Sequence, residues 1–195
     1  MKSVGKAFLV NQGCYLVDSE VRVGQLGLHP FGDKETHVVI DVCGIGLKAF
    51  SLTRGQAEDY QTPTIRENFS YQFEVNVLRG IEVKISRSDF RNGFVSSCNY
   101  NYILAPMRLI APYEIPDGVG LIEFNRHKFS CEIDDEADEY QSNRIFKIEG
   151  LRVVKRPKFR RVPQYQIDNV NARIARRSTN GNHIKILEEI RKCAD

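Results

Sequence analysis

The sequence predicts an α/β protein, a central mixed sheet flanked by helices. Three observations carry this. Short β-branched runs follow one another through the middle of the chain. Helical spacing is confined to the two ends. The 195 residues suit one domain of ordinary size and are too few for two large ones. At 42% hydrophobic and 27% charged, the composition is that of a folded chain and excludes one disordered throughout.

Each element follows in order. Residues 3 to 12 suit a short helix that ends at Gly13, a C-cap residue. Cys14 to Val23 reads as a strand, and Gly24 to Glu35, with its glycines and Pro30, as a loop. His37 to Cys43 is a short apolar run closed by Gly44-Ile45-Gly46, which favours a buried strand. Residues 51 to 70 are polar and irregular. Tyr71 to Leu78 and Ile81 to Ser86 are strand-like on either side of Arg79-Gly80. Further strands are expected at Tyr100 to Ala105, Val119 to Phe124, Phe129 to Ile133 and Phe146 to Val154. From Pro163 the pattern turns helical, breaks at Thr179-Asn180-Gly181, and ends in a helix from about Ile184 to Cys193. The division expected is one domain over 1–160 and a basic helical extension over 161–195.

No apolar run approaches the ~20 residues that a membrane helix needs. The apolar patch Ala7 to Val10 is too short for a secretory signal core, so a cytoplasmic protein without a membrane partner is expected. The five cysteines form no CxxC pair and read as small buried hydrophobes. The four histidines have no ligand spacing, and a zinc site is not expected.

Charge is segregated along the chain. Arg152, Lys155, Arg156, Lys158, Arg160, Arg161, Arg173, Arg176 and Arg177 face a single acid, Asp168, in residues 151 to 177. That segment carries a net +8, which leaves −5 for the rest of a chain whose total is +3. Glu132, Asp134, Asp135, Glu136, Asp138 and Glu139 supply an opposing acidic stretch. Such blocks point to a surface that faces a polyanion, nucleic acid above all. The plainer reading is the basic edge that any small domain carries.

Two polar anomalies interrupt the strands. Asp41 lies amid Val38, Val39, Ile40, Val42 and Cys43, where a carboxylate is costly unless paired or bound to a cation. It would alternatively end a strand and accept N–H groups from the Gly44 to Gly46 turn. Glu82-Val83-Lys84 is the only acid-x-Lys in the chain. Strand alternation puts Glu82, Lys84 and Ser86 on one face and Ile81, Val83 and Ile85 on the other. Glu82 and Lys84 would either act together or form a surface ion pair worth at most ~1 kcal/mol.

Asp41 followed at a distance by Glu82-x-Lys84 resembles the PD-(D/E)XK phosphodiesterase superfamily. The stretch Gly80 to Phe90, Gly-Ile-Glu-Val-Lys-Ile-Ser-Arg-Ser-Asp-Phe, is similar to the EVKxSxxDF segment of the MmcB-related DNA-repair family and its phage relatives. Cys98 to Pro106, Ile115 to Ile122 (an LPxGxGLI-like turn), Val153 to Pro157 and Cys14 to Val21 extend the likeness over roughly residues 3 to 158. The short Arg91-Asn92-Gly93-Phe94 and the absence of tryptophan depart from it.

This resemblance implies a restriction-endonuclease-like fold and a metal-dependent nuclease acting on DNA, in repair or phage DNA processing. Asp41, Glu82 and the Val83 carbonyl, with Glu20 as a further acid, would hold Mg²⁺ or Mn²⁺. The cation would polarise the phosphate and acidify a water. Lys84 would orient that water and offset developing charge, which makes Asp41, Glu82 and Lys84 the catalytic set. Ser86 would bond a phosphate or merely a neighbouring strand, and the cations from Arg152 to Arg177 would hold the backbone of the nucleic acid. Asp89 reads as a helix cap or a further ligand, and Phe90 as core. A homodimer is one option, since paired sites suit double-strand cutting. The alternatives are an inactive nucleic-acid-binding protein of the same fold and a protein-interaction module.

Overall fold

The computed structural model describes residues 1–24, 37–52, 71–133 and 146–178. Helix α1 (Lys2–Asn11) opens the chain and leads into strands β1 (Cys14–Gly24), β2 (His37–Leu52) and β3 (Tyr71–Val83). A short helix α2 (Arg87–Arg91) precedes β4 (Tyr100–Pro106) and β5 (Val119–Phe124). The hairpin pair β6 (Ser130–Ile133) and β7 (Phe146–Glu149) comes next, then β8 (Leu151–Lys155) and helix α3 over 164–178.

The main sheet has six strands in the order β1-β2-β3-β4-β5-β8. Pairings β1/β2, β2/β3 and β5/β8 are antiparallel, while β3/β4 and β4/β5 are parallel. The protein is therefore α/β, with helices on a mixed sheet, as the sequence predicts. No helix among the described residues is long and apolar enough to cross a membrane.

Strand alternation distributes the core over two faces. On one, α1 lays Val4, Phe8 and Leu9 against Val42, Ile81, Tyr102, Leu104 and Ile122. On the other, α3 packs Ile167, Val170 and Ile174 against Val21, Ile40, Ile45 and Leu78. A third cluster on Ile103, Ala105 and Leu121 takes in Phe90 of α2 and Phe94. Helix α3 thus closes the core, and its Arg173 guanidinium caps the Arg22 carbonyl on edge strand β1.

Several boundaries differ from the sequence reading. The strand expected to close at Gly44-Ile45-Gly46 runs on to Leu52. The two strands expected around Arg79-Gly80 are one continuous strand. In both places glycine marks close approach within a strand rather than a turn. A Cβ at Gly46 would collide with the Gly13 carbonyl, and one at Gly80 would lie 2.7 Å from the Cys98 Sγ. The run Phe146 to Val154 divides at Gly150 into β7 and β8, which belong to different sheets. Cys14, Cys43 and Cys98 are buried as expected, but Cys131 on the hairpin is exposed. Ser51 and Leu52, expected in the irregular stretch 51–70, close β2; the rest of that stretch, the expected loop from 25 to 35, the acidic residues 134–139 and the last helix lie outside the described residues.

Candidate active site

The ladder between β2 and β3 ends at Val42 opposite Ile81. The next residues in that register are Asp41 and Glu82. Residues directly opposed in an antiparallel pair project from the same face, so two acids distant in sequence meet where the strands part. Asp41 is not held by the glycine turn. Its Oδ2 accepts the Val83 N–H across the strand gap at 2.9 Å, and so locks the divergence in place.

Glu82 is buried at 8% exposure, and its Oε1 has no hydrogen-bond partner. Burial first, and then the charge of Asp41, push its carboxyl up to about 7, against the opposing pull of Lys84. A buried, half-ionised and incompletely bonded carboxylate is unfavourable as pure structure. It suits a group that gains a partner in function.

Lys84 follows on the same side, 7% exposed, with its backbone N–H extending the parallel ladder to the Leu104 carbonyl. It forms no ion pair with Glu82. Its ammonium reaches Asp89 Oδ1 at 3.4 Å. Asp89 also accepts the Ile85 N–H at 3.1 Å and donates its own N–H to Ser86 Oγ at 3.1 Å. Ser86 is therefore the cap of α2, and the Asp89 carboxylate takes the N–H of the residue before it, which reverses the cap expected at Asp89. Strand β3 ends at Val83, so Ser86 leaves the Glu82 face and Ile85 stands 68% exposed instead of packing.

Glu20 comes near the site through a lysine that the sequence reading did not single out. Lys2, at the start of α1, places its ammonium 2.9 Å from Glu20 Oε1 and 3.2 Å from Asp41 Oδ1. Both acids raise the Lys2 pKa, the Glu20 bond more than the Asp41 bond. Glu20 itself has φ 55, in the left-handed region that few side chains adopt. Arg177 of α3 stabilises this kink by donating to the Ser19 carbonyl at 3.0 Å and the Glu20 carbonyl at 3.3 Å, while pairing with Asp18 at 3.1 Å.

The basic residues do not form one surface around these carboxylates. Strand β8 runs antiparallel to β5, so the chain leaving it travels to the N-terminal ends of β4 and β5, away from Glu82. There Lys155 donates to the Ile115 and Pro116 carbonyls, Lys158 pairs with Asp117 at 2.8 Å, and Arg160 binds the Ser96 carbonyl at 2.6 Å. Arg156, Arg161 and Arg176 are exposed. Of the expected phosphate contacts, Arg152, Arg177 and Ser86 lie towards the carboxylate end. Asn99 to Tyr102 have structural partners. Asn99 and Asn101 bond the backbone at Leu78 and Cys98. Tyr102 packs on Phe8, and Tyr100 takes a hydrogen bond from Lys48.

The reading of the sequence missed the cations at the ends of the neighbouring parallel strands. Arg108 follows β4, and Arg126 and Lys128 follow β5, all exposed. The signal was present in their position just after strand ends, but the order β3-β4-β5 is needed to see it.

Among the described residues, no three His, Cys, Asp or Glu side chains are grouped as metal ligands. Two carboxylates with a backbone carbonyl suit Mg²⁺, which keeps several waters, and do not suit zinc. No family model matches the chain, and no curated protein matches it. A solved structure, the SPO1766 protein of unknown function from Silicibacter pomeroyi, is similar to it at 16% identity and a TM-score of 0.42. That match covers 88% of this chain and 78% of the other.

Proposed function

We propose that this protein is a metal-dependent nuclease that hydrolyses phosphodiester bonds in DNA within the cytoplasm. The observation that carries the reading is Glu82, buried beside Asp41 with an unbonded oxygen and a buried lysine two residues on. The element order α1-β1-β2-β3-α2-β4, with three antiparallel strands and then a parallel one, supports a restriction-endonuclease-like core. Ligands of open α/β sheets bind outside the C-terminal ends of parallel strands, and Glu82 and Lys84 stand at such an end.

Asp41, Glu82 and the Val83 carbonyl would hold Mg²⁺ or Mn²⁺, with Glu20 close by once Lys2 is displaced. When bound, the cation would supply a Lewis acid for a phosphate oxygen. Asp41 keeps the strands apart by its bond to the Val83 N–H, and so holds the site open. Lys84, fixed by Asp89, presents a desolvated positive charge where the pentavalent phosphate accumulates negative charge. It also positions a water by donating to it.

A second reading, a nucleic-acid-binding protein that does not cleave, is favoured by one observation. Lys2 already neutralises Asp41. Incubating labelled single- and double-stranded DNA with Mg²⁺ or Mn²⁺ separates the two. Wild type should cleave, and Lys84→Ala should lose about 10²- to 10⁴-fold in rate. Equal rates would remove Lys84 from the mechanism. Salt-dependent binding with no product under either metal would select the second reading.

A further inference from the structure

At the same sheet end, one to three strands along from Glu82, lies a cavity of about 280 Å³. Met107, Arg108, Glu123, Lys128, Leu151 and Arg152 line it. At a strand spacing of ~4.8 Å, its lining lies roughly 5–15 Å across the sheet from Glu82.

The cavity is built rather than incidental. Arg108 has φ 62, the left-handed third position of a turn that the Leu109 N–H closes on the Pro106 carbonyl at 3.0 Å. Glu123, buried at 7% exposure, braces that turn by accepting the Arg108 N–H at 3.0 Å. The other Glu123 oxygen anchors the Arg152 guanidinium at 2.9 Å. Met107 is pinned by its N–H on the Phe124 carbonyl at 2.9 Å, and its Sδ accepts from the Asn125 amide at 3.8 Å. Three cations against one buried carboxylate leave a net charge near +2. The Arg108 and Lys128 side chains have no ion-pair or hydrogen-bond partner among the described residues.

Two unengaged cations on a half-open cavity, beside a guanidinium already fixed by a buried carboxylate, form the arrangement of an anion receptor. We infer that this cavity binds a phosphate group of a nucleic-acid strand one or two nucleotides from the bond held at Asp41 and Glu82. The apolar Met107 and Leu151 would lie under the attached nucleoside. The inference deepens the nuclease proposal and rests on it for the identity of the ligand. The anion site itself stands on the cavity alone.

The test is calorimetric titration, in EDTA and low salt, with inorganic phosphate and with DNA hexamers bearing or lacking a 5′-phosphate. Omitting the metal makes the result independent of cleavage. Arg108→Ala combined with Lys128→Ala removes exposed side chains only, and a circular dichroism melt verifies the fold. The double variant should weaken phosphate and hexamer binding at least tenfold. Preference for the 5′-phosphorylated hexamer would assign a terminal phosphate, and equal binding an internal one. Unchanged phosphate binding in the double variant, or no phosphate binding by wild type, overturns the site. Metal-dependent cleavage together with either result would leave the nuclease reading standing and the cavity without its role. Tight binding with no cleavage would do the reverse.

Discussion

Glu82→Gln should stabilise the protein in alkaline solution and leave it nearly unchanged in acid. The Glu82 carboxyl titrates at about 7 in the fold against an ordinary 4.5. Below pH 4.5 the group is neutral in both the folded and the unfolded chain, and its favourable contribution is complete. Between 4.5 and 7 the unfolded chain ionises first, so stability falls as pH rises, and the loss is complete above 7. At about 1.4 kcal/mol per pH unit, the loss is about 3 kcal/mol. Glutamine keeps the shape, carries no charge and escapes this loss. Urea unfolding of both proteins at pH 4.5 and pH 8 reads the difference. The variant should gain up to about 3 kcal/mol on wild type at pH 8, and much less at pH 4.5. Mg²⁺ at pH 8 should stabilise wild type more than the variant, because the cation compensates the charge that glutamine lacks. A pH-independent difference, or a variant less stable at pH 8, would refute the claim that Glu82 is a desolvated carboxyl held against Asp41.

Lys2→Ala removes the ammonium that bridges Glu20 and Asp41 at 2.9 and 3.2 Å, a partly exposed contact worth at most about 1 kcal/mol. Mn²⁺ affinity, followed by thermal shift, should therefore tighten up to about fivefold. Arg177→Ala leaves the kinked Glu20 backbone with fewer bonds, and should lower Tm by about 2–4 °C if the loss is ~1 kcal/mol. Gly80→Ala forces a methyl to 2.7 Å from the Cys98 Sγ inside the sheet. Chemical denaturation should show a loss of about 1–3 kcal/mol. Affinity of wild type for Mn²⁺ should rise with pH by close to tenfold per unit below 7, then level off, because binding must displace the Glu82 proton.

The sequence makes the sheet legible because its strands are β-branched and its helices amphipathic. Strand β5 matches the expected Val119 to Phe124, and α1, β1 and β4 shift by only a residue or so at their ends. It misplaces the glycines because Gly46 and Gly80 serve contacts with Gly13 and Cys98, distant partners that no local pattern reports. The likeness to EVKxSxxDF directs attention to Glu82 and Lys84, and strand pairing puts Asp41 opposite. What it cannot convey is Lys2, whose role depends on α1 folding back over the end of β2. It also overstates the basic segment. Net charge along a chain says nothing of direction, and β8 carries Lys155 to Arg161 towards the far end of the sheet.

Diffraction from crystals grown with Mn²⁺ at pH 8, recorded near the manganese edge, addresses the central claim most directly. An anomalous peak should stand between the Asp41 and Glu82 carboxylates, with the Lys2 ammonium displaced from Asp41. A map with no peak there, and Lys2 still spanning Asp41 and Glu20, would contradict the account.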